Sequence, residues 1–386
     1  MQFLRVAVLI GLALVATSFT PSASCADSWM MPTTRTFTSC KGHARVTVTP
    51  RDLESQLAYF EDKVDHVEPA GQTENGPRAA TARVQTRTGG RWRTLWEKPI
   101  ANEVAPVDVI VREDGAYTVT FDNWHRTGYG PNAVVIYGPS GEQVRALALT
   151  DLVPRDYIDA LPHSVSSIRW RGTPCFSSDG RRVVIPVLVP TSDDEGPDKM
   201  VAITVDLATG AVAPANDFAL EQALSAGRRV HAEQLAAAAR AKAAFLAPLL
   251  GPAVNDQREW HDYLREAVAR LRGPDISTST TVLRLPGAKD YAITEIWARE
   301  ALTKSYADNV ALASLSPANM VAVLHRIGAS LPPGSLSKVT LYVAARDDIW
   351  PEIRAAMAPT GVHLVQLDPD RPIPQRRDRI VQRYGA

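Results

Sequence analysis

The residues with the greatest chemical capacity at close spacing are Asp122, Asn123, Trp124 and His125, followed by Gly128-Tyr129-Gly130-Pro131. An aspartate and a histidine beside a glycine-rich bend can supply an acid–base pair. They stand just past a strand end, where loops on a rigid scaffold carry function. The same residue types also build corners, because Asp and Asn bond nearby backbone amides and a Trp packs beneath. The corner reading outweighs the catalytic one. Asp122 and His125 are therefore candidates without a committed reaction, and Asn123, Trp124 and Tyr129 form a candidate binding surface.

Other constellations are weaker. His163-Ser164 with Ser166-Ser167 places a base near hydroxyls, so His163 is a third catalytic candidate, but no G-x-S-x-G elbow occurs. Gly138-Pro139-Ser140-Gly141 sits in a hairpin turn. Ser335-Leu336-Ser337-Lys338 satisfies S-x-x-K without its companion K-T-G. Asp193-Asp194-Glu195 with Asp198 offers carboxylates without the spacing of a calcium loop, and reads as a solvated tip. The histidines never form H-x-x-x-H, so no metal site is expected. G-x-G-x-x-G and the P-loop pattern are both missing, and Ser314-Leu315-Ser316-Pro317 is too poor in glycine to cradle a phosphate, so no cofactor is expected.

The bulk composition bounds the partners. The 386 residues carry 42 Lys+Arg against 42 Asp+Glu. A chain with zero net charge gives no electrostatic reason for a nucleic-acid partner. Trp92, Trp96, Trp124 and Trp170 read as core anchors rather than a stacking platform. The expected partner is an envelope protein or a small ligand.

The envelope enters through the N-terminus. Arg5 precedes an apolar run, Val6–Ala16, and small residues follow at Ser22, Ala23, Ser24 and Ala26. This is the plan of a secretory signal peptide, expected over residues 1–26. The run is shorter than the roughly 20 residues of a membrane-spanning helix, and no later run is long enough, so no membrane span is expected after cleavage. The expected location is periplasmic or secreted. Lipidation at Cys25 is disfavoured by Ser22, where a leucine-like residue is usual. Cleavage leaves Cys40 and Cys175 as possible disulfide partners, with two buried free thiols as the alternative. A bridge closing so long a loop would contribute roughly 5 kcal/mol in the chain-entropy model.

Alternation and turn chemistry set the elements. A strand is expected at Ala44–Thr49 and a short helix within Arg51–Glu61, with Leu53, Leu57 and Phe60 on its packed face. A hairpin turns at Gly89-Gly90, with Trp92, Leu95 and Trp96 as packing residues. Arg112–Leu149 reads as a three-stranded meander: Asp114-Gly115, strand Tyr117–Phe121, the polar corner, strand Ala133–Tyr137, a turn at Gly141, and strand Gln143–Leu149. One helical turn is expected at Arg155–Leu161. Phe176–Pro214 repeats the plan, with Asp179-Gly180 matching Asp114-Gly115 and Gly210 matching Gly141. Gly90 marks a weaker third copy. Asn123-Trp124-His125 and Gly128-Tyr129-Gly130 have no counterpart in the second copy.

Such units resemble blades of β-propellers, in which Asp-Gly opens a strand and a D-x-x-T-G turn joins the outer pair. Asp206-Leu207-Ala208-Thr209-Gly210 matches that turn. The resemblance covers about a third of the chain and implies a partial propeller, open meander or sandwich. The pattern around Thr120–Trp124 also resembles exported bacterial proteins of unassigned function, which implies an export context and no chemistry.

After Asn216 the composition shifts to alanine-rich helix, followed by a second helix at Asp256–Leu271. Strands at Thr280–Leu285, Asn309–Ala313, Lys338–Ala344 and Val362–Leu367 then alternate with helices at Pro317–Ser330 and Asp347–Met357, a βαβ rhythm. Asp290–Tyr306 stays of undecided type. The expected fold is α+β: an antiparallel β domain over 27–216, then a helical and small α/β domain over 217–386. The expected role is binding or interaction in the cell envelope, without an assignable catalytic motif. The alternatives are an envelope hydrolase with a site around Asp122 and His125, and a structural scaffold with recognition on the C-terminal domain.

Overall fold

A computed structural model describes residues 29–192, 196–304 and 308–385. The expected leader over 1–26, with Cys25, and the acidic triplet at 193–195 lie outside the described residues. The chain divides into two compact units, one ending at Ala236 and the other beginning at Ala237.

The first unit holds three four-stranded antiparallel sheets in chain order. Sheet one contains β1 (Arg35–Thr38), β2 (Ala44–Thr49), β3 (Thr81–Thr88) and β4 (Arg91–Pro99). A helix, α1 (Gln56–Val64), lies in the long β2–β3 connection. Sheet two contains β5 (Asp108–Val111), β6 (Thr118–Phe121), β7 (Val134–Tyr137) and β8 (Gln143–Leu147). A short helix, α2 (Arg155–Ala160), leads on to sheet three. That sheet contains β9 (Cys175–Phe176), β10 (Arg182–Leu188), β11 (Met200–Asp206) and β12 (Val212–Pro214).

Every sheet is the same meander. The first hairpin turns at Gly42, Gly115 or Gly180, with φ of 75°, 73° and 67°, and the last at Gly90, Gly141 or Gly210, with φ of 79°, 78° and 70°. A side chain at these positions would be strained, which is why glycine recurs there. The third copy, anticipated only at Gly90, is therefore complete. What varies is the middle connection: residues 50–80, 122–133 and 189–199. The corner at Asp122 is thus a middle connection with equivalents in both other sheets. Strand β5 escaped the sequence reading, because Asp108–Val111 is only four residues long and follows a proline-containing loop.

Period-two alternation decides the packing. On β7, Val135 and Tyr137 join a core with Val46, Val84 and Trp96 of sheet one. Val134 and Ile136 point the other way and join Val183, Ile185 and Ile203 of sheet three. Sheet two is therefore buried on both faces, and all residues of β6 and β7 are buried. The first hairpin turns are tied across the sheets. Glu113 accepts hydrogen bonds from Ser39 Oγ (2.7 Å) and Lys41 N (2.6 Å), and Arg112 Nη1 donates to the Gly180 carbonyl at 2.7 Å.

Three expectations are corrected here. The packed face of α1 is carried by Tyr59, while Leu57 and Phe60 are 66% and 39% exposed. Ser55 caps the helix by accepting from Ala58 N, so it starts at Gln56 and Leu53 stays outside it. Leu95 is likewise exposed, while Trp96 is buried. The expected Cys40–Cys175 disulfide is absent, and both thiols are free and exposed. Cys40 lies in the β1–β2 turn of sheet one and Cys175 on an edge strand of sheet three, with sheet two packed between them. A disulfide needs Cα atoms about 4.4–6.8 Å apart, whereas packed sheets stand about 10 Å apart.

Helix α3 (Asp217–Leu246) contains the division between the units, and its first half packs Leu220, Ala223 and Leu224 on the first unit's core. The second unit holds α4 (Gln257–Arg272) and a parallel sheet of β13 (Ser279–Leu283), β14 (Asn309–Ser314), β15 (Thr340–Ala344) and β16 (His363–Leu367) in sequential order. The segment left undecided is α5 (Tyr291–Lys304). It is followed by α6 (Pro317–Ser330), α7 (Trp350–Met357) and α8 (Arg377–Tyr384). Val310, Leu312, Leu341 and Val343 face α5, α6 and α7, while Ala311, Ala313 and Tyr342 face α4. Burial on both faces explains the nearly continuous apolar strands.

Ile136 fills the contact between sheets two and three. We expect Ile136→Ala to cost about 3 kcal/mol, read as a lowered urea midpoint of the first unit, with the exposed Val212→Ala changing it little. Maleimide added to the folded protein without reductant should label both Cys40 and Cys175, as counted by intact mass.

Candidate functional site

The corner after β6 is set by backbone geometry. Asp122 and His125 both adopt left-handed backbone, with φ of 59° and 58°. Each conformation costs a non-glycine residue roughly 1 kcal/mol, so the surroundings must hold it. They do so from both neighbouring linkers. Asn102, between sheets one and two, donates from Nδ2 to the Asp122 carbonyl at 2.7 Å and accepts from Thr120 Oγ1 at 2.7 Å. From the linker before sheet three, Ile168 N donates to the Thr127 carbonyl at 2.9 Å.

The Asp122 side chain is the centre of this arrangement and is 1% exposed. Oδ1 accepts from Gly128 N at 2.8 Å and from Trp170 Nε1 at 2.9 Å, and Oδ2 faces Arg171 Nε at 3.3 Å. Burial pushes its carboxyl above the ordinary range, against the pull of Arg171 and the N–H donors. Gly128 has a steric role as well, because a Cβ there would lie 2.9 Å from Ile168 Cβ and 3.1 Å from Trp170 Cδ1.

His125 turns elsewhere. Its ring packs edge-on against Tyr59 and Phe60 of α1, with centroids at 4.9 and 4.8 Å, and against Trp124 at 5.5 Å. Neither ring nitrogen has a hydrogen-bond partner. Burial holds its pKa below the ordinary imidazole range. The Asp122 oxygens go to Gly128, Trp170 and Arg171, so Asp122 and His125 form no acid–base pair.

The other candidates separate in the same way. Asn123 Oδ1 accepts from Glu103 N at 3.2 Å. Trp124 Nε1 donates to the Met30 carbonyl at 2.8 Å, beneath the segment Trp29–Thr33. Tyr129 and His163, by contrast, meet. Both line a cleft of about 340 Å³ with Gly128, Gly130, Arg155 and Asp159. Tyr129 Oη donates to the Ser164 carbonyl at 3.2 Å. His163 Nδ1 lies 2.9 Å from the Leu161 carbonyl, which assigns the proton to Nδ1 and leaves Nε2 as an acceptor. Arg155 pairs with Asp159 at 2.9 Å. Sequence reasoning missed Arg155 and Asp159, although their i,i+4 spacing inside the expected helical turn was a usable signal.

The cleft can hold and orient a ligand: Nε2 accepts, the Arg155 guanidinium donates, and the Tyr129 ring provides an apolar wall. Among the described residues no group of His, Cys, Asp or Glu could hold a metal ion. Asp198 of the acidic loop pairs with Arg169.

The second unit has its own crevice of about 310 Å³ at the carboxyl ends of β14 and β15, lined by Trp260, Asn255, Leu315, Met320, Arg346 and Asp370. Trp260 Nε1 donates to Asn255 Oδ1 at 2.8 Å, Asn255 Nδ2 donates to the Leu315 carbonyl at 3.0 Å, and Arg346 pairs with Asp370 at 2.9 Å. Its polar groups are therefore engaged with one another.

A scan against family models and a search of curated proteins return no match. Several solved structures match part of the chain, among them two from Bacteroides species. One is a candidate 6-phosphogluconolactonase from Bacteroides fragilis, 10% identical with a TM-score of 0.23, aligned over 47% of this chain and 37% of its own. The other, from Bacteroides uniformis, is 12% identical with a TM-score of 0.23, over 47% of this chain and 39% of its own. The match thus spans under two-fifths of the length of those proteins.

Removing the Asp122 carboxyl leaves the Trp170 indole, the Gly128 amide and Arg171 without their acceptor. We expect Asp122→Ala to cost about 3 kcal/mol, read by urea unfolding of the first unit.

Proposed function

We propose that this chain is an exported protein of the cell envelope that binds a small polar ligand in the Tyr129–His163 cleft. One observation carries the reading: the polar groups of the corner separate into engaged ones, headed by Asp122, and a cleft-lining set whose His163 Nε2 is left as an acceptor. A bound molecule with a donor group would meet Nε2, and a carbonyl or acidic group would meet Arg155. Binding sites commonly take this form, a concave surface with few convergent polar groups. The export context rests on the leader pattern at 1–26. The body offered to the ligand is the β domain expected over 27–216. Among the described residues no helix is long and apolar enough to cross a membrane.

The hydrolase alternative needs Asp122 and His125 as a working pair, and their separate environments weigh against it. Recognition on the second unit would use the Trp260 crevice, where the polar groups are mutually satisfied.

Native mass spectrometry of the protein, incubated with a small-molecule extract of the envelope, tests the proposal. We expect a retained small-molecule adduct on the wild type, weakened at least tenfold in His163→Ala and Arg155→Ala at unchanged stability. Retention unaffected by either substitution, or no adduct at all, would rule this cleft out.

A further inference from the structure

We infer that His125 is an acid-sensitive latch that holds α1 on the corner at neutral pH and releases it on protonation. A buried polar group without a partner calls for an explanation, because its desolvation is uncompensated. His125 has two such atoms, both ring nitrogens. It is also kept in left-handed backbone, at φ 58°. The imidazole is the piece of the corner that α1 packs against: Tyr59 and Phe60 meet it edge-on, and Tyr59 also meets Trp124 at 5.3 Å. A neutral ring suits this apolar cluster. A charged imidazolium has two N–H donors, meets no acceptor beyond its own backbone, and must reach water. Reaching water means parting the α1 contact, since the ring is covered by that helix and Trp124.

The charged groups facing the ring do not neutralise an added proton. From α1 comes Lys63, and from the corner itself Arg126, both of which oppose protonation. From the β4–β5 linker comes Glu103, which favours it, but that carboxylate is engaged by Lys63 at 2.8 Å and by the Tyr59 hydroxyl at 3.3 Å. Glu68 also pairs with Lys63. The rest of the segment is fastened independently. Buried Arg51 donates to the Ala70 carbonyl at 2.7 Å and to Gln72 Oε1 at 3.0 Å. Release is therefore confined to α1 and its flanks, with the sheets intact.

The direction follows from linkage. Burial sets the folded-state pKa of His125 below its unfolded value. The stabilising contribution of the neutral ring is fully present above the unfolded pKa and is lost as pH falls through the folded one. Between those two values up to one proton is taken up per opening, so the open fraction of α1 rises by up to about tenfold per pH unit and then levels off. The Lys63 ammonium holds the Glu68 carboxyl below the usual carboxylate range, so that group stays ionised between pH 7.5 and 5.

Hydrogen exchange of the full chain tests the latch. After correction for intrinsic rates, the amides of Gln56–Val64 in the wild type should lose at least tenfold protection between pH 7.5 and 5, while β2 and β3 keep theirs. His125→Phe, which keeps an apolar ring, and His125→Asn, which tolerates left-handed backbone, should both abolish that pH dependence. An NMR titration of the wild type needs no variant to fold: the His125 ring should titrate below an imidazole in an unfolded peptide, over the pH range where α1 opens. Titration of His125 at or above the unfolded-peptide value, pH-independent protection of α1 in the wild type, or the same loss in both variants would each overturn the latch.

Discussion

The Asp122 carboxyl is buried and surrounded by donors. Gly128 N–H and the Trp170 indole share one oxygen, and Arg171 faces the other. This interaction joins the end of β6 to the nearby bend at Gly128 and to the remote linker entering sheet three. The left-handed turn at Asp122 exists because these bonds hold it. The bend in turn places Tyr129 beside His163, so the cleft inherits its shape from a residue that does not line it.

The second constraint is the double burial of sheet two. A meander with water on one face would show polar alternation, whereas β6 and β7 are apolar or threonine throughout. Thr118 and Thr120 hide their hydroxyls among apolar neighbours, and Thr120 succeeds because Asn102 accepts its proton. Once both faces are committed, the only variable surface of each sheet is its middle connection. The corner, α1 and the residue 189–199 loop are three answers to the same opening in the architecture.

Much of this was legible in the sequence. Glycines at fixed places in a β-repeat, 115 with 180 and 141 with 210, located two sheets and hinted at the third, because a positive φ leaves few other choices. Pro317–Ser330 matched α6 to the residue, since Ser316 and Pro317 mark a start and the apolar period does the rest. Short β5 was not legible, because four residues of alternation say nothing without their partner strand. The face of α1 was misread because Leu53 lies outside the helix and neighbouring residues point about 100° apart, so a stripe centred on Tyr59 leaves Leu57 exposed. At the site, pairing decided everything. Asp122 and His125 are three residues apart and share left-handed backbone, yet one side chain runs to Trp170 and Arg171 and the other into the α1 cluster. Spacing alone carries no information about that divergence. Arg155 and Asp159 show the converse: their contact is local and could have been read.

The glycine-turned hairpins have a practical corollary for protein engineering. In all three sheets the tight ends are locked, by backbone conformation and by ties such as Glu113 to Ser39, while the open connection already ranges from about ten residues to about thirty. Nature has therefore run a length-variation series on one edge of this scaffold. New peptide segments, affinity loops or reporter sequences grafted into the residue 189–199 connection would enter where the strand ladder imposes no register, leaving the stacked sheets as an indifferent platform beneath them.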